Sequence, residues 1–484
     1  MVLRLRQAGC YTIKIKIIIL MKSTLMILAL GFVMISLKAQ ELPLLKISKN
    51  QKFIVTNDDK PFFWLGGTAW ELIHRLTKEE IDLYLTDRAE KGFTVIQTVV
   101  LAELDGLNMP NAYGDKPLNN NNPETLNEKY FELVDYVVER SAQLGLYVGL
   151  LPTWGDKFNR KWGVGPEIFN PKNAEIYGEL LAKRYLSKNN IIWILGGDRA
   201  PENENHYSII RAMAKGIKEN DSLHLITYHP VGGKKASDFF MDDVWLDIDM
   251  FQSGHSRTAK EYNYVIEGAK SGTKRPIING EARYENIPDR FWETQHYGWL
   301  NDADVRVSAY WSMLSGAAGY TYGCNDIWQM YDSSREPVIN ARTDWNIAIE
   351  LPGSSQLKYL KELFEIFPWQ LMVFNQSLIL NDNPEDESYS LSSISEKRDF
   401  ILAYTPTGKA MEIDLTKMNS GKAKAFWLNP RSGTILYIGD FETKTPNEFK
   451  PWSFGWGSDF LLILVDQDSS YDFSGFSALA TPKF

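Results

Sequence analysis

The chain has 484 residues, more than one hydrophobic core usually spans, so a large domain with a smaller companion is expected. With 23% charged and 13% aromatic residues, its composition is that of a folded globular protein and excludes wholesale disorder. Its 52 Lys and Arg against 61 Asp and Glu give a net charge of −9, which argues against nucleic acid or anionic lipid as a partner.

Residues 1–39 read as a signal or leader segment. From Met21, "MKSTLMILALGFVMISLKA" has an early Lys22, an apolar stretch from Leu25 to Leu37 and a small residue, Ala39, suited to a signal peptidase. That stretch is too short for a transmembrane anchor, so export to the periplasm, cell surface or medium is expected, with no membrane span in the mature form. The preceding segment is basic and apolar, as in an upstream start or an extended leader. Removing residues 1–39 takes away Arg4, Arg6, Lys14, Lys16, Lys22 and Lys38 but no acid, moving the net charge from −9 to −15. Cys10 is lost with them, leaving Cys324 alone, so no intramolecular disulfide can form and core burial must hold the fold.

Residues 40–60 read as a short β extension, and residues 61–367 as a barrel. "PFFWLGGTAW" (61–70) is a strand, followed by a helix that Thr77 and Glu80 cap reciprocally and Gly92 ends. "FTVIQTVVLAE" (93–103), an amphipathic stretch from Leu126 to Gly145, and "LYVGLLPTWGD" (146–156) follow in turn. Asn170 and Pro171 open the next helix as cap and first-turn residue. Then come "NIIWILGGD" (190–198), "LHLITYHP" (223–230), "WLDIDMFQSGH" (245–255), "RPIINGEARYE" (275–285) and "AAGYTYG" (317–323). Eight apolar or β-branched runs separated by helices, over roughly 260 residues, fit a (β/α)₈ TIM barrel. A doubly wound sheet fits less well, because no glycine-rich phosphate turn follows the first strand.

The pattern changes after a linking helix, "LPGSSQLKYLKELFEIFPW". Residues 368–484 carry short alternating segments, such as "RDFILAYTPTG", "KAKAFWLNPRSGTILYIGD" and "DFLLILVD", with turn signals between them, as in a small all-β sandwich. Burial of "PW" (368–369) and "FGW" (454–456) is expected to seat this sandwich on the barrel.

In a closed parallel barrel the chemistry collects at the carboxyl ends of the strands. The fourth run ends at Asp198 after two glycines, and the seventh delivers Glu281. Asp198 alternatively caps the helix that follows. Around them, strand ends offer Trp70, His74, Gln97, Glu103, Trp154, Asp156, His229, His255, Tyr284, Tyr310, Trp311 and Tyr322 as substrate-binding candidates. Two carboxylates over a bowl of aromatics and amides suit glycoside hydrolysis: an acid protonates the leaving oxygen, a carboxylate attacks or activates water, and rings stack on sugar faces. The six His are dispersed and no His-Glu-x-x-His or cysteine cluster occurs, so neither a metal nor an organic cofactor is expected. No Gly-x-Ser-x-Gly elbow is present for a serine hydrolase.

"FFWLGGTAWELIHRLTKEEIDLYLTDRAEKGFTVIQTVVLAELDG", "GLLPTWGDK", "NIIWILGGDR", "INGEARYE" and "AYWSMLSGAAGYTYG" together resemble the apiosidase-like barrel family, and "YTPTG" and "AFWLNPRSG" resemble the collagen-binding-type β domain that follows such barrels. The resemblance covers nearly all of the mature chain. It implies an apiosidase acting on D-apiose of the plant pectin rhamnogalacturonan II, with Asp198 as acid/base and Glu281 as nucleophile of a retaining mechanism. The wider clan normally has Asn-Glu where this chain has Gly197-Asp198, so the acid here is one methylene shorter. A glycosidase on another furanose or plant β-glycan, and a non-catalytic carbohydrate-binding barrel, remain the alternatives.

Overall fold

The computed structural model describes residues 42–478 apart from residue 273, so the expected leader lies outside the described residues. No helix among the described residues is long and apolar enough to cross a membrane. The eight expected runs form parallel strands: Trp64–Thr68, Val95–Leu101, Tyr147–Thr153, Ile191–Gly196, Ile226–His229, Asp249–Gln252, Ile277–Glu281 and Gly319–Cys324. Taking them as barrel strands one to eight, backbone pairing runs five-four-three-two-one-eight-seven-six. The ring closes where the Asp247 N–H donates to the Ile226 carbonyl (2.9 Å) and the Thr227 hydroxyl to the Ile248 carbonyl (2.8 Å). Every residue of the eight strands is buried, because one face fills the barrel and the other lies under helices.

Local signals explain the helices between them. Helix Lys78–Glu90 starts at the expected reciprocal cap, with the Thr77 N–H donating to Glu80 at 2.8 Å and the Glu80 N–H to the Thr77 hydroxyl at 3.3 Å. Helix Pro171–Tyr185 begins at Asn170, whose side chain accepts from the Asn173 N–H, while Pro171 loses nothing in a turn with no carbonyl to meet. One expectation fails: Tyr310 and Trp311 end no strand but lie within helix Asp302–Leu314, between strands seven and eight. The helix is buried along nearly its whole length, its apolar residues packed and its polar ones, such as Arg306, paired.

The cover is the C-terminal β region. Seven strands form one sheet in the spatial order Met372–Phe374, Leu391–Ser395, Phe400–Thr405, Phe460–Asp466, Lys422–Asn429, Thr434–Glu442 and Ser477–Ala478, and Met411–Ile413 pairs with Asn447–Phe449 in a second. Strand alternation sends Ile401, Ala403, Leu462 and Leu464 into a core with Trp427, Met411, Ile413 and Phe449. Tyr404, on the opposite face, stacks on Tyr310 of the barrel helix at 4.5 Å between ring centres. Beside that stack, Arg306 forms a bidentate ion pair with Asp459 (2.9 and 2.8 Å), both side chains being at most 1% exposed. The Trp311 indole donates to the Tyr389 carbonyl (2.9 Å), and the Ser393 hydroxyl to that of Leu314. Trp369 packs edge-on against Phe63 of the barrel and Phe53 of the N-terminal hairpin Leu45–Ile47/Ile54–Thr56, as expected for "PW". Phe454, in contrast, is 72% exposed, so "FGW" seats the sheets only through Trp456, which lies under Arg257.

Asp459→Ala should leave buried Arg306 with only Asp302 and Gln356 as partners and lower stability by about 2–4 kcal/mol, read from chemical denaturation. A loss below about 1 kcal/mol would show that the pair does not hold the two parts together. For the same reason, a chain ending near residue 365 should aggregate; a soluble and fully active product would contradict the structural role.

Candidate active site

Strand four ends in an unusual turn. Gly196, Gly197 and Asp198 all adopt left-handed backbone conformations, with φ of 91°, 102° and 52°. A side chain at Gly196 would meet the His229 carbonyl at 2.6 Å, and one at Gly197 would meet Gly155 and Trp154 at 2.9 Å, so only glycine fits both places. The turn lifts the backbone over strand five, where the Asp198 N–H donates to Nδ1 of His229 at 3.1 Å. Buried Arg199 braces the corner by donating to the carbonyls of Asp198 (2.8 Å) and Asn159 (3.0 Å). Helix Glu204–Asn220 is capped by Asn203, so Asp198 is not its cap. Its side chain, 23% exposed, opens into the cavity at the barrel mouth.

Glu281, the last residue of strand seven, faces the same cavity. Its Oε2 lies 2.8 Å from Nε2 of His229 and its Oε1 3.3 Å from Nε2 of His255. Since Nδ1 of His229 accepts the Asp198 N–H, the ring's proton sits on Nε2, 2.8 Å from Oε2 of Glu281 but without the alignment of a hydrogen bond. His229 therefore joins the backbone of one carboxylate to the side chain of the other. Gln97 donates from strand two to the Gly280 carbonyl at 2.8 Å and fixes the residue before Glu281.

The two carboxyls are driven apart in acidity. Burial alone would raise both. At Glu281 the adjacent His229 and His255 imidazoles, at 2.8 and 3.3 Å, outweigh burial and hold the pKa down at about 2. At Asp198 burial is reinforced by the negative charge of Glu281, and the pKa rises to about 6. Glu103, in the same cavity, is pushed to about 8 by burial and then by Asp198, so it is neutral at pH 7 and able to donate a hydrogen bond.

The cavity measures about 1030 Å³ and is lined by Trp70, Trp154, His255 and Tyr284 together with the three carboxyls. Trp70 packs against Trp154 and His229 at 5.2 and 5.3 Å and donates to the Tyr284 hydroxyl at 3.2 Å. Tyr284 faces the cavity, whereas its strand neighbour Glu285 turns into the wall and accepts from Tyr322 (2.7 Å) and the Gly353 N–H (3.1 Å). Tyr322 is thus a wall residue and not a cavity one. Trp311 also lies elsewhere, at the seam with the β sheets.

Four further candidates act one layer back. His74 and Glu71 are paired at 2.6 Å, and Glu71 accepts the Leu104 N–H, fixing the loop that carries Glu103. Asp156, paired with buried Lys157 at 2.7 Å, accepts the Gly165 N–H at 2.8 Å and pins the loop carrying Trp162. Gln97 and His229 are likewise absent from the lining. Sequence reasoning missed the exposed rim: Trp162 is 61% and Trp292 57% exposed, with Phe291 beside the latter. Both tryptophans line the cavity from loops without periodic pattern; the only signal was a tryptophan amid polar, glycine-containing sequence. No group of three or more His, Cys, Asp or Glu among the described residues is arranged to hold a metal ion.

The model of the apiosidase-like catalytic domain matches residues 48–370. The chain belongs to the apiosidase-like family. A second model, named "Putative collagen-binding domain of a collagenase", matches residues 373–465. Among solved structures, a protein titled glycoside hydrolase is 31% identical with a TM-score of 0.82, over 89% of this chain and 98% of its own. A glycoside hydrolase family 5 protein from Bacteroides vulgatus is 32% identical with a TM-score of 0.82, over 92% of this chain and 97% of its own. No curated protein matches the chain. The apiosidase-like barrel is therefore a glycoside hydrolase with a carbohydrate substrate.

In this apiosidase-like enzyme, Trp162 stands over the Arg199 guanidinium at 4.0 Å, next to Asp198, which braces the ring as a platform for a sugar. Trp162→Ala should raise KM about tenfold and leave kcat within about twofold, since stacking serves ground state and transition state alike. A fall in kcat with KM unchanged would contradict the platform role.

Proposed function

We propose that the protein is an exported apiosidase that hydrolyses D-apiose linkages of rhamnogalacturonan II by a retaining, two-carboxylate mechanism. The observation that carries this reading is the split pair: Glu281 held ionised beside two imidazoles, and Asp198 with its pKa raised to about 6 by burial and by Glu281, in one cavity. Asp198 gives its proton to the leaving oxygen while Glu281 attacks the anomeric carbon, forming a glycosyl-enzyme ester. Asp198, now ionised, takes a proton from water, which attacks the same carbon and frees Glu281. His229 and His255 keep Glu281 anionic and aligned, and family membership supports apiose as the sugar released.

Digestion of a panel of plant cell-wall oligosaccharides, followed by analysis of free monosaccharides, tests the substrate. Free apiose from rhamnogalacturonan II is the expected product. Another pentose or a hexose would move the enzyme to a different glycan, and no release from any member would contradict catalysis.

A further inference from the structure

A second cavity, of about 570 Å³, opens where the barrel meets the C-terminal sheets. Arg257, Thr258 and Trp311 wall it from the barrel, and Glu387, Thr407 and Trp456 from the β region. Thr258 lines this cavity and the catalytic one, so the two are separated by a single loop, the one that leaves strand six. That loop works on both sides: His255 reaches Glu281, while Arg257 turns to the seam and lies over the Trp456 ring at 5.2 Å.

The chemistry of the seam is specific. Its cations are already neutralised, Arg257 by a bidentate pair with Asp304 (2.8 and 3.0 Å) and Lys260 by Glu385 at 3.3 Å. A phosphate or carboxylate ligand would find acidic neighbours and no uncommitted cation to meet it. The Thr407 hydroxyl and the Trp456 indole N–H are buried and have no hydrogen-bond partner among the described residues. Leaving such groups unpaired costs free energy that a hydroxyl-rich ligand recovers. Indole surface beside unpaired donors and carboxylate acceptors matches the mixed apolar and hydroxyl faces of a neutral sugar.

We propose that this seam is a second saccharide subsite, which holds neutral sugars distal to the bond cleaved in the main cavity. The proposal rests on the main cavity being the hydrolytic site, and it gives the β region a part in substrate capture: without the sheets the subsite has only one wall. Its occupant is the continuation of the same saccharide chain, passing Thr258 from one cavity to the other.

The test uses the full chain carrying Glu281→Gln, titrated calorimetrically with 4-nitrophenyl apioside, which fills the main cavity alone, and with neutral plant oligosaccharides including uronate-free side-chain fragments of rhamnogalacturonan II. Adding Trp456→Ala should weaken oligosaccharide binding about tenfold, the loss of one stacking and hydrogen-bonding residue, and leave the aryl apioside unchanged. Thr407→Val, which removes one hydroxyl and little volume, should act in the same direction by a few-fold and covers the case in which the tryptophan variant folds poorly. Unchanged affinity for every oligosaccharide bound, or equal weakening of both probes, would overturn the seam subsite. Weak binding of the aryl apioside with a Trp456-dependent gap on another glycan would instead overturn the choice of apiose and support the seam.

Discussion

Replacing Glu281 with Gln is expected to lower kcat by about a thousandfold or more while substrate binding remains measurable. The amide keeps the shape of the side chain and its place beside His229, so the cavity is preserved. It cannot form the glycosyl ester or stabilise positive charge at the anomeric carbon, so the loss falls on the chemical step. Glu285, four residues on, is the internal control. It is buried with Tyr322 and Gly353, its pKa is raised to about 7 chiefly by burial, and Glu285→Gln should leave most activity in place. Steady-state kinetics of the two variants decides between them: collapse at Glu285 with activity at Glu281 would reverse the assignment.

Asp198→Asn should divide substrates by their leaving groups. General acid catalysis is worth about 10²–10⁴-fold, so natural sugar leaving groups should lose that much, while activated aryl glycosides, which depart without protonation, should lose little in the first step. The pH dependence gives a second readout. Activity of the native enzyme should rise as Glu281 ionises at low pH and fall as Asp198 loses its proton through about pH 6. The two limbs belong to the pair, since each carboxyl shifts the other. In Asp198→Asn the alkaline limb should vanish for aryl substrates. Equal damage to both substrate classes with the limb intact would send the search for the acid to Glu103, whose pKa is raised to about 8.

The residues that carry the barrel were legible because the periodic signals and the punctuation agree. Apolar runs of strand length, the Thr77/Glu80 cap and the Asn170-Pro171 start each specify local structure without help from distant sequence. Asp198 and Glu281 were legible as strand-end carboxylates, and the Gly196-Gly197 pair as a sharp turn. The link between them was not. His229 reads as one more histidine at the end of strand five, and only the folded chain shows it accepting from the Asp198 backbone with its other ring nitrogen 2.8 Å from Glu281. Trp311 misled because this helix is buried almost throughout and shows no exposed polar stripe around it, and the apolar run "AYWSML" looks the same at a rim or at an interface. Trp162 and Trp292 sit in irregular loops where no periodicity exists to be read. Phe454 shows the converse: aromatic sequence near an interface need not enter it.

The most direct test of the double-displacement account is covalent trapping with an activated 2-deoxy-2-fluoro apioside, whose fluorine slows breakdown of the ester more than its formation. After tryptic digestion, mass spectrometry reads the site without ambiguity, because Glu281 lies in the peptide ending at Arg283 and Glu285 in the peptide that begins at Tyr284. The account predicts time-dependent inactivation and one added fluorosugar on the peptide containing Glu281. A label on the peptide from Tyr284, a label on Glu103, or turnover with no label at all would contradict it.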